Sequence, residues 1–307
     1  MHADKCVIFV GGTSFSGSTL TDMILANDPG GISCGEVYAI FYPFRRHHLH
    51  LEQLSQAFDW REMRESGPKN LYTNIFNRFP DCRFIVDSSK SPLWISERSS
   101  ELRALGVRVE HVLVWKTPSE FRASCEKRGR ERGWRREWVN YHRYYFTLIE
   151  GWRSIPYRDL VTDSDVLPRI CSSLRIPYFP GKEQYWNNVQ HTVFGNDTTR
   201  IHLHDQSSDQ YASVRSAIAS DIEETKLPHH RTLSYSAIPS DATGEDDDER
   251  FGRIIDVLER FDVRKEGSAR IDADSGNESL RMGRVFHAFQ IAKLKYRLGW
   301  IVDAVRS

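Results

Sequence analysis

The chain has 307 residues in which 42 lysines and arginines balance 42 aspartates and glutamates, so no bulk field draws it to nucleic acid or to an anionic membrane surface. That length buries one sizeable core, read here as a single α/β domain with decorations. No run of about eighteen apolar residues occurs, the start lacks a secretory pattern, and five cysteines without CxxC spacing suit reduced thiols; the expectation is a cytoplasmic protein without membrane contact, disulfides or zinc.

In chain order, residues 5–10 are a short apolar run ending in two glycines, a buried strand that feeds a tight loop and then a helix over 18–26. Asn27-Asp-Pro-Gly-Gly31 stops that helix, and residues 32–42 run apolar with Gly35-Glu36 inside them. Helical spacing covers 51–63. Residues 83–87 are a second buried-strand candidate, 95–105 a helix and 109–115 a third strand. Thr117-Pro-Ser-Glu120 places a hydroxyl at the N-cap, proline at the first helical position and glutamate at the third, which starts a helix running toward Arg128. A helix rich in Trp and Tyr is expected over 135–152, a fourth strand over 155–160 and a further helix over 165–174. Strands alternating with helices predict an α/β fold, P-loop-like, with three α/β/α layers around a central, mostly parallel sheet.

The core is expected to span residues 1–204. Composition then turns to Ser, Asp, Thr and His over 205–250, ending in Gly244-Glu-Asp-Asp-Asp-Glu249, which reads as a polar, mobile insertion. Residues 251–307 are expected to pack helices on the same domain, a short one over 254–261 and an amphipathic one over 285–305. Lys293, Lys295 and Arg297 are too few to make the latter a basic membrane anchor.

The loop after the first strand has the spacing of a phosphate-binding turn: Gly12, Thr13, Ser14, Phe15, Ser16, Gly17, Ser18, Thr19. A glycine-rich turn between strand and helix points backbone N–H groups at one spot, and the helix N-terminus adds partial positive charge. Ser18 stands where a nucleotide triphosphatase keeps the lysine that reaches the β and γ phosphates. The loop therefore suits a nucleotide that lacks a γ phosphate.

The run GTSFSGSTLTDMIL resembles the 5′-phosphosulfate loop of the sulfotransferases that use 3′-phosphoadenosine 5′-phosphosulfate (PAPS), and residues 27–36 are similar to the helix exit and Gly-Glu segment of tyrosylprotein and bacterial members. A second signature, a strand ending in a basic residue with a serine eight residues on, is matched by Lys116 and Ser124. Residues 84–92, 156–161 and 191–200 resemble further bacterial segments, so the likeness covers about residues 5–204. The resemblance implies that Gly12 to Thr19 hold the 5′-phosphosulfate of PAPS and that Lys116 and Ser124 hold its 3′-phosphate. Arg128, one turn beyond Ser124, adds a second cation there, and Arg200 approaches the same phosphate from the other side. The product is 3′-phosphoadenosine 5′-phosphate (PAP), and no metal is required.

Sulfuryl transfer needs a base for the acceptor's proton and positive charge on the departing phosphate. The resemblance makes Glu36 the base, with His47, His48 and His50 as an alternative cluster. Family members usually carry Lys or Arg two residues before the second loop glycine, where this chain has Phe15; Lys90, after the 83–87 strand, is the expected substitute. Adjacent histidines point apart, so HHLH is not read as a metal site. Arginines broken by Trp134 and Trp138 suggest nucleic-acid stacking, but Glu126, Glu131 and Glu137 at near-helical spacing read as a paired, solvated face instead.

The expected acceptor is a small molecule, with Phe41, Tyr42, Phe44, Trp134, Tyr144 and Tyr145 either lining its pocket or packing the core. Two other functions compete, the first of them without the loop lysine it needs. One is a P-loop kinase of a small metabolite with Asp87 holding magnesium; the other is a nucleotide-binding protein without catalysis, motivated by Phe15. Oligomeric state has no signal in the sequence.

Overall fold

The computed structural model describes residues 4–43, 48, 59–188, 191–200, 203, 222–226, 232–236 and 249–265. His47, Phe44, His50, residues 51–58, the acidic run at 244–248 and the 285–305 helix lie outside the described residues.

Five parallel strands form the central sheet in the order β2-β3-β1-β4-β5: β1 (Cys6–Gly11), β2 (Gly31–Gly35), β3 (Phe84–Asp87), β4 (Arg108–Trp115) and β5 (Trp152–Pro156). The fold is α/β with helices on both faces, as the alternation of apolar runs predicts. Side chains on successive strand positions point to opposite faces, so β1 divides its run between two cores. Val7 and Phe9 meet Tyr72, Ile75 and Ile95 on one face, while Cys6, Ile8 and Val10 meet Met23, Ile24 and Ile170 on the other. Because the strands run parallel, Gly11, Gly35, Asp87, Trp115 and Pro156 all end at one edge of the sheet, where the loops gather.

On these strands hang α1 (Ser18–Ala26), the short α2 (Tyr38–Phe41), α3 (Trp60–Ser66), α4 (Leu71–Arg78), α5 (Pro92–Ala104), α6 (Pro118–Glu126) and α7 (Trp134–Leu148). The helix α6 begins with the expected capping box: Glu120 N–H donates to Thr117 Oγ1 at 3.2 Å, and Thr117 N–H donates to Glu120 Oε2 at 3.0 Å. Trp134 and Trp138 of α7 are buried, and the arginines nearby are paired, Arg122 with Glu126 and Arg130 with Glu137, each at 2.7 Å.

Three local readings change. The apolar run at 32–42 is not one element, because Gly35 has φ 68°, which ends β2 and turns the chain into α2. The expected strand at 155–160 is instead the end of β5 followed by α8 (Tyr157–Thr162). Pro156 pairs with Trp115 as the last strand residue, and Tyr157, Leu160 and Val161 are then buried at helical spacing. The helix expected to reach 152 stops at Leu148, since Gly151 adopts φ 64° before β5.

Beyond these, α9 (Val166–Leu174) packs under the sheet, α10 (Asp197–Arg200) follows the irregular stretch 191–196, and β6 (Ile222–Lys226) pairs antiparallel with β7 (Thr232–Ser236). A last helix, α11 (Glu249–Arg260), buries Phe251, whose ring centroid lies 5.3 Å from that of Trp138. No helix among the described residues is long and apolar enough to cross a membrane.

Candidate active site

The loop between β1 and α1 is held by close contacts that explain its composition. Gly17 has φ 97°, and a Cβ there would lie 2.1 Å from Cδ2 of Tyr157, so only glycine fits. Gly12 donates its N–H to the hydroxyl of Tyr141 at 2.7 Å. Ser14 is half-buried, while Ser18 and Thr19 are buried in the first turn of α1. Thr13 and Ser16 are buried as well, yet neither hydroxyl has a hydrogen-bond partner among the described residues. A buried hydroxyl without a partner costs about 1–3 kcal/mol, which an anion oxygen placed in the loop would relieve.

At the end of β4, Lys116 is buried and donates to Ser124 Oγ at 3.0 Å, bringing together the two residues that the spacing paired. Its ammonium also sits 4.5 Å from the ring centroid of Tyr157. Desolvation holds the Lys116 pKa down at about 8, with Glu120 opposing that shift and Arg128 reinforcing it. Arg128 donates to the carbonyl of Ser124 at 3.0 Å, and its guanidinium lies 4.4 Å from the Phe15 ring centroid. Tyr157 thus links the loop glycine to Lys116, and Arg128 links Ser124 to the loop phenylalanine.

Across β1, the ends of β2 and β3 carry Glu36 and Lys90, which form a half-buried ion pair with each other. The pair is set from behind. Asp22 of α1, fully buried, accepts from Gly35 N–H at 3.0 Å and from Ser88 Oγ at 2.7 Å, fixing the residue before Glu36 and the one two before Lys90. Burial raises the Asp22 pKa to about 8, so it is an uncharged acid at neutral pH. Asp87 is also fully buried and its pKa is raised by desolvation, but both its oxygens are filled. Oδ1 accepts from Ser89 N–H at 2.6 Å, and Oδ2 accepts from Tyr72 Oη at 2.5 Å and Trp94 Nε1 at 3.0 Å.

The stretch 191–196 closes this side. Glu36 N–H donates to the Val193 carbonyl at 2.9 Å, and Asn196 N–H donates to Thr19 Oγ1 at 3.2 Å. A Cβ on Gly35 would lie 2.2 Å from the Val193 carbonyl oxygen, the physical reason glycine precedes Glu36. Arg200 ends α10, four residues beyond the contact with Thr19. His48 is buried with its ring 4.5 Å from that of Phe194.

Among the aromatics named from sequence, Trp134 and Tyr145 are core residues. Phe41, Tyr42 and Tyr38 are half-buried around Trp94, and Tyr38 N–H donates to Ser89 Oγ at 2.9 Å, beside Lys90.

No family model matches the chain, and no curated protein matches it. Among solved structures, the sulfotransferase domain of the olefin synthase of Synechococcus PCC 7002 aligns with a TM-score of 0.52 at 18% identity, over 83% of this chain and 94% of that domain. The chain has a sulfotransferase-type fold. A sulfotransferase domain from the curacin biosynthetic pathway aligns with a TM-score of 0.46 at 17% identity, over 83% of this chain and 98% of that one.

Within the sulfotransferase-type fold, three contributors escape the sequence reading: Tyr157, Tyr141 and Asp22. Asp22 left a signal, being the one carboxylate in the otherwise uncharged helix STLTDMILA. Tyr157 lay in a segment assigned to a strand, which would have sent its ring elsewhere.

Proposed function

We propose that this protein is a sulfotransferase that moves the sulfuryl group of PAPS to a hydroxyl or amine of a small-molecule acceptor in the cytoplasm, releasing PAP without a metal. The observation that carries this reading is the Tyr157 ring, which packs against Gly17 and also lies under the Lys116 ammonium. It makes one continuous surface of the anion loop and a buried cation whose hydrogen-bond partner is a serine hydroxyl, a fit for a nucleotide phosphorylated at two positions.

When bound, PAPS supplies an activated sulfuryl group. Loop N–H groups beyond Gly12, whose own N–H is bonded to Tyr141, and the N-terminus of α1 hold its 5′ side. Lys116 and Ser124, approached by Arg200, hold the 3′-phosphate. Glu36 takes the acceptor's proton, and Lys90, paired with Glu36 beside the loop, supplies positive charge on the side of the departing phosphate. The half-buried aromatics beside this pair, Tyr38, Phe41 and Tyr42, receive the acceptor.

Asp87 is poorly suited to hold magnesium for a kinase, because three donors already fill its oxygens. Calorimetric titration with PAP, and separately with ATP and magnesium, tests the choice. Tight PAP binding that Lys116→Ala weakens supports the reading, and preference for ATP with magnesium replaces it with the kinase.

A further inference from the structure

Phe15 is one of three non-glycine residues with positive φ among those described, at 66°. Bulky residues take that conformation only where the surroundings enforce it. Its ring faces two guanidiniums, Arg128 at 4.4 Å and Arg130 at 5.4 Å from the centroid. The two differ in what else they touch. Arg130 is exposed and bonded to Glu137 at 2.7 Å, so its charge is largely compensated. Arg128 is half-buried, donates to the Ser124 carbonyl, and has no carboxylate partner among the described residues. A cation with no carboxylate partner among the described residues, bonded to α6 and packed on a ring of the anion loop, is placed for an anion in that loop.

We infer that Phe15 is a positioning residue that holds the Arg128 guanidinium at the mouth of the loop, so that Arg128 meets the 5′-phosphate of the bound nucleotide rather than its 3′-phosphate. The inference rests on the nucleotide reading above and deepens it. Lys90 then need not leave Glu36 for the loop to be charged, and the 3′ subsite is Lys116 with Ser124.

The test is calorimetry on the full chain with PAP and with adenosine 3′-monophosphate, which lacks the 5′-phosphate, for wild type, Arg128→Gln, Phe15→Leu, Phe15→Tyr and the Arg128→Gln/Phe15→Leu double variant. Arg128→Gln and Phe15→Leu are each expected to weaken PAP by about tenfold, and together by no more than either alone. Adenosine 3′-monophosphate should bind all variants within about twofold, and Phe15→Tyr, which keeps the ring, should bind PAP like wild type. If Phe15→Leu does not fold, Arg128→Gln and Phe15→Tyr still decide. Equal weakening of both nucleotides by Arg128→Gln would return Arg128 to the 3′ side and overturn the inference while leaving the proposed function standing. Multiplied losses in the double variant would also overturn it. Failure of the wild-type protein to bind PAP removes both readings at once.

Discussion

The two halves of the site spend their charges differently. On the β1 and β4 side, Lys116 leans on a serine and a tyrosine ring, Arg128 on a carbonyl and a phenylalanine ring, and two loop hydroxyls have no hydrogen-bond partner among the described residues. On the β2 and β3 side, Lys90 is already paired with Glu36, and Asp22 and Asp87 are buried in donor networks behind them. Positive charge held by neutral hydrogen-bond partners and aromatic rings, with no direct ion pair to Lys116 or Arg128 among the described residues, is a binding device for an anion. Acid and base held against each other form a proton-handling device whose balance shifts when a ligand arrives. On the function proposed above, the donor nucleotide belongs to the β1 and β4 side of the sheet edge and the acceptor to the β2 and β3 side.

The sharpest way to break that division is Glu36→Gln. If proton transfer belongs to the β2 side alone, kcat for sulfuryl transfer falls by about 10²–10⁴-fold, while PAP affinity measured by calorimetry is unchanged. A matching loss of PAP affinity would mean that the halves are not separate.

Asp22→Asn probes the support behind the pair. The folded-state pKa is raised from 3.8 to about 8, so the folded protein binds more protons than the unfolded chain between those values, and wild-type stability falls as pH rises through that window. Asparagine cannot ionise and can still accept from Gly35 N–H and Ser88 Oγ. The variant should gain on wild type by up to about 1.4 kcal/mol per pH unit from pH 4 to 8 and hold that lead above it, as read from urea unfolding. A constant difference across pH would show that Asp22 does not titrate.

On the other side, Lys116→Ala should weaken PAP by about 1.5–3 kcal/mol, the range for a hydrogen-bonded charge. Acceptor KM should not move. An unaltered PAP affinity would detach β4 from nucleotide binding.

How much of this was legible from sequence follows the same division. The donor side is a matter of local spacing: glycines at 12 and 17 after a strand, lysine and serine eight apart across a capping box, and both arrangements appear where the pattern put them. Most of the strand and helix order was equally readable, because buried parallel strands are continuous apolar runs, whereas β2 was hidden in one apolar run with α2. What escaped depends on contacts distant in the chain. Tyr141 reaches Gly12 across 129 residues, and Ser88 reaches Asp22 across 66. Periodicity could not show that Lys90 would meet Glu36, since that pairing comes from β2 lying beside β3, an outcome of topology. The Tyr157 segment was misread because six residues with apolar ones at first, fourth and fifth place suit a short helix or a strand, and only the proline at 156 marks the break.

The smallest effect concerns the protonation of Lys116, and its sign separates binding from folding. With a pKa near 8 in the free protein, Lys116 is charged at pH 7 and largely neutral by pH 9. Nucleotide phosphates complete their second ionisation near pH 6, so they add no change in that range. PAP affinity should therefore be level up to about pH 7.5 and then fall toward tenfold per pH unit as binding must first restore the proton. Stability of the free protein moves the opposite way through Lys116: its folded pKa lies below the ordinary lysine value of 10.5, the unfolded chain holds more protons between 8 and 10.5, and stability rises with pH there. Lys116→Arg, which stays charged throughout, should flatten the affinity profile even if geometry costs it some binding at pH 7. A profile that kept its fall above pH 8 in this variant would assign the titrating group elsewhere and remove Lys116 from the binding surface.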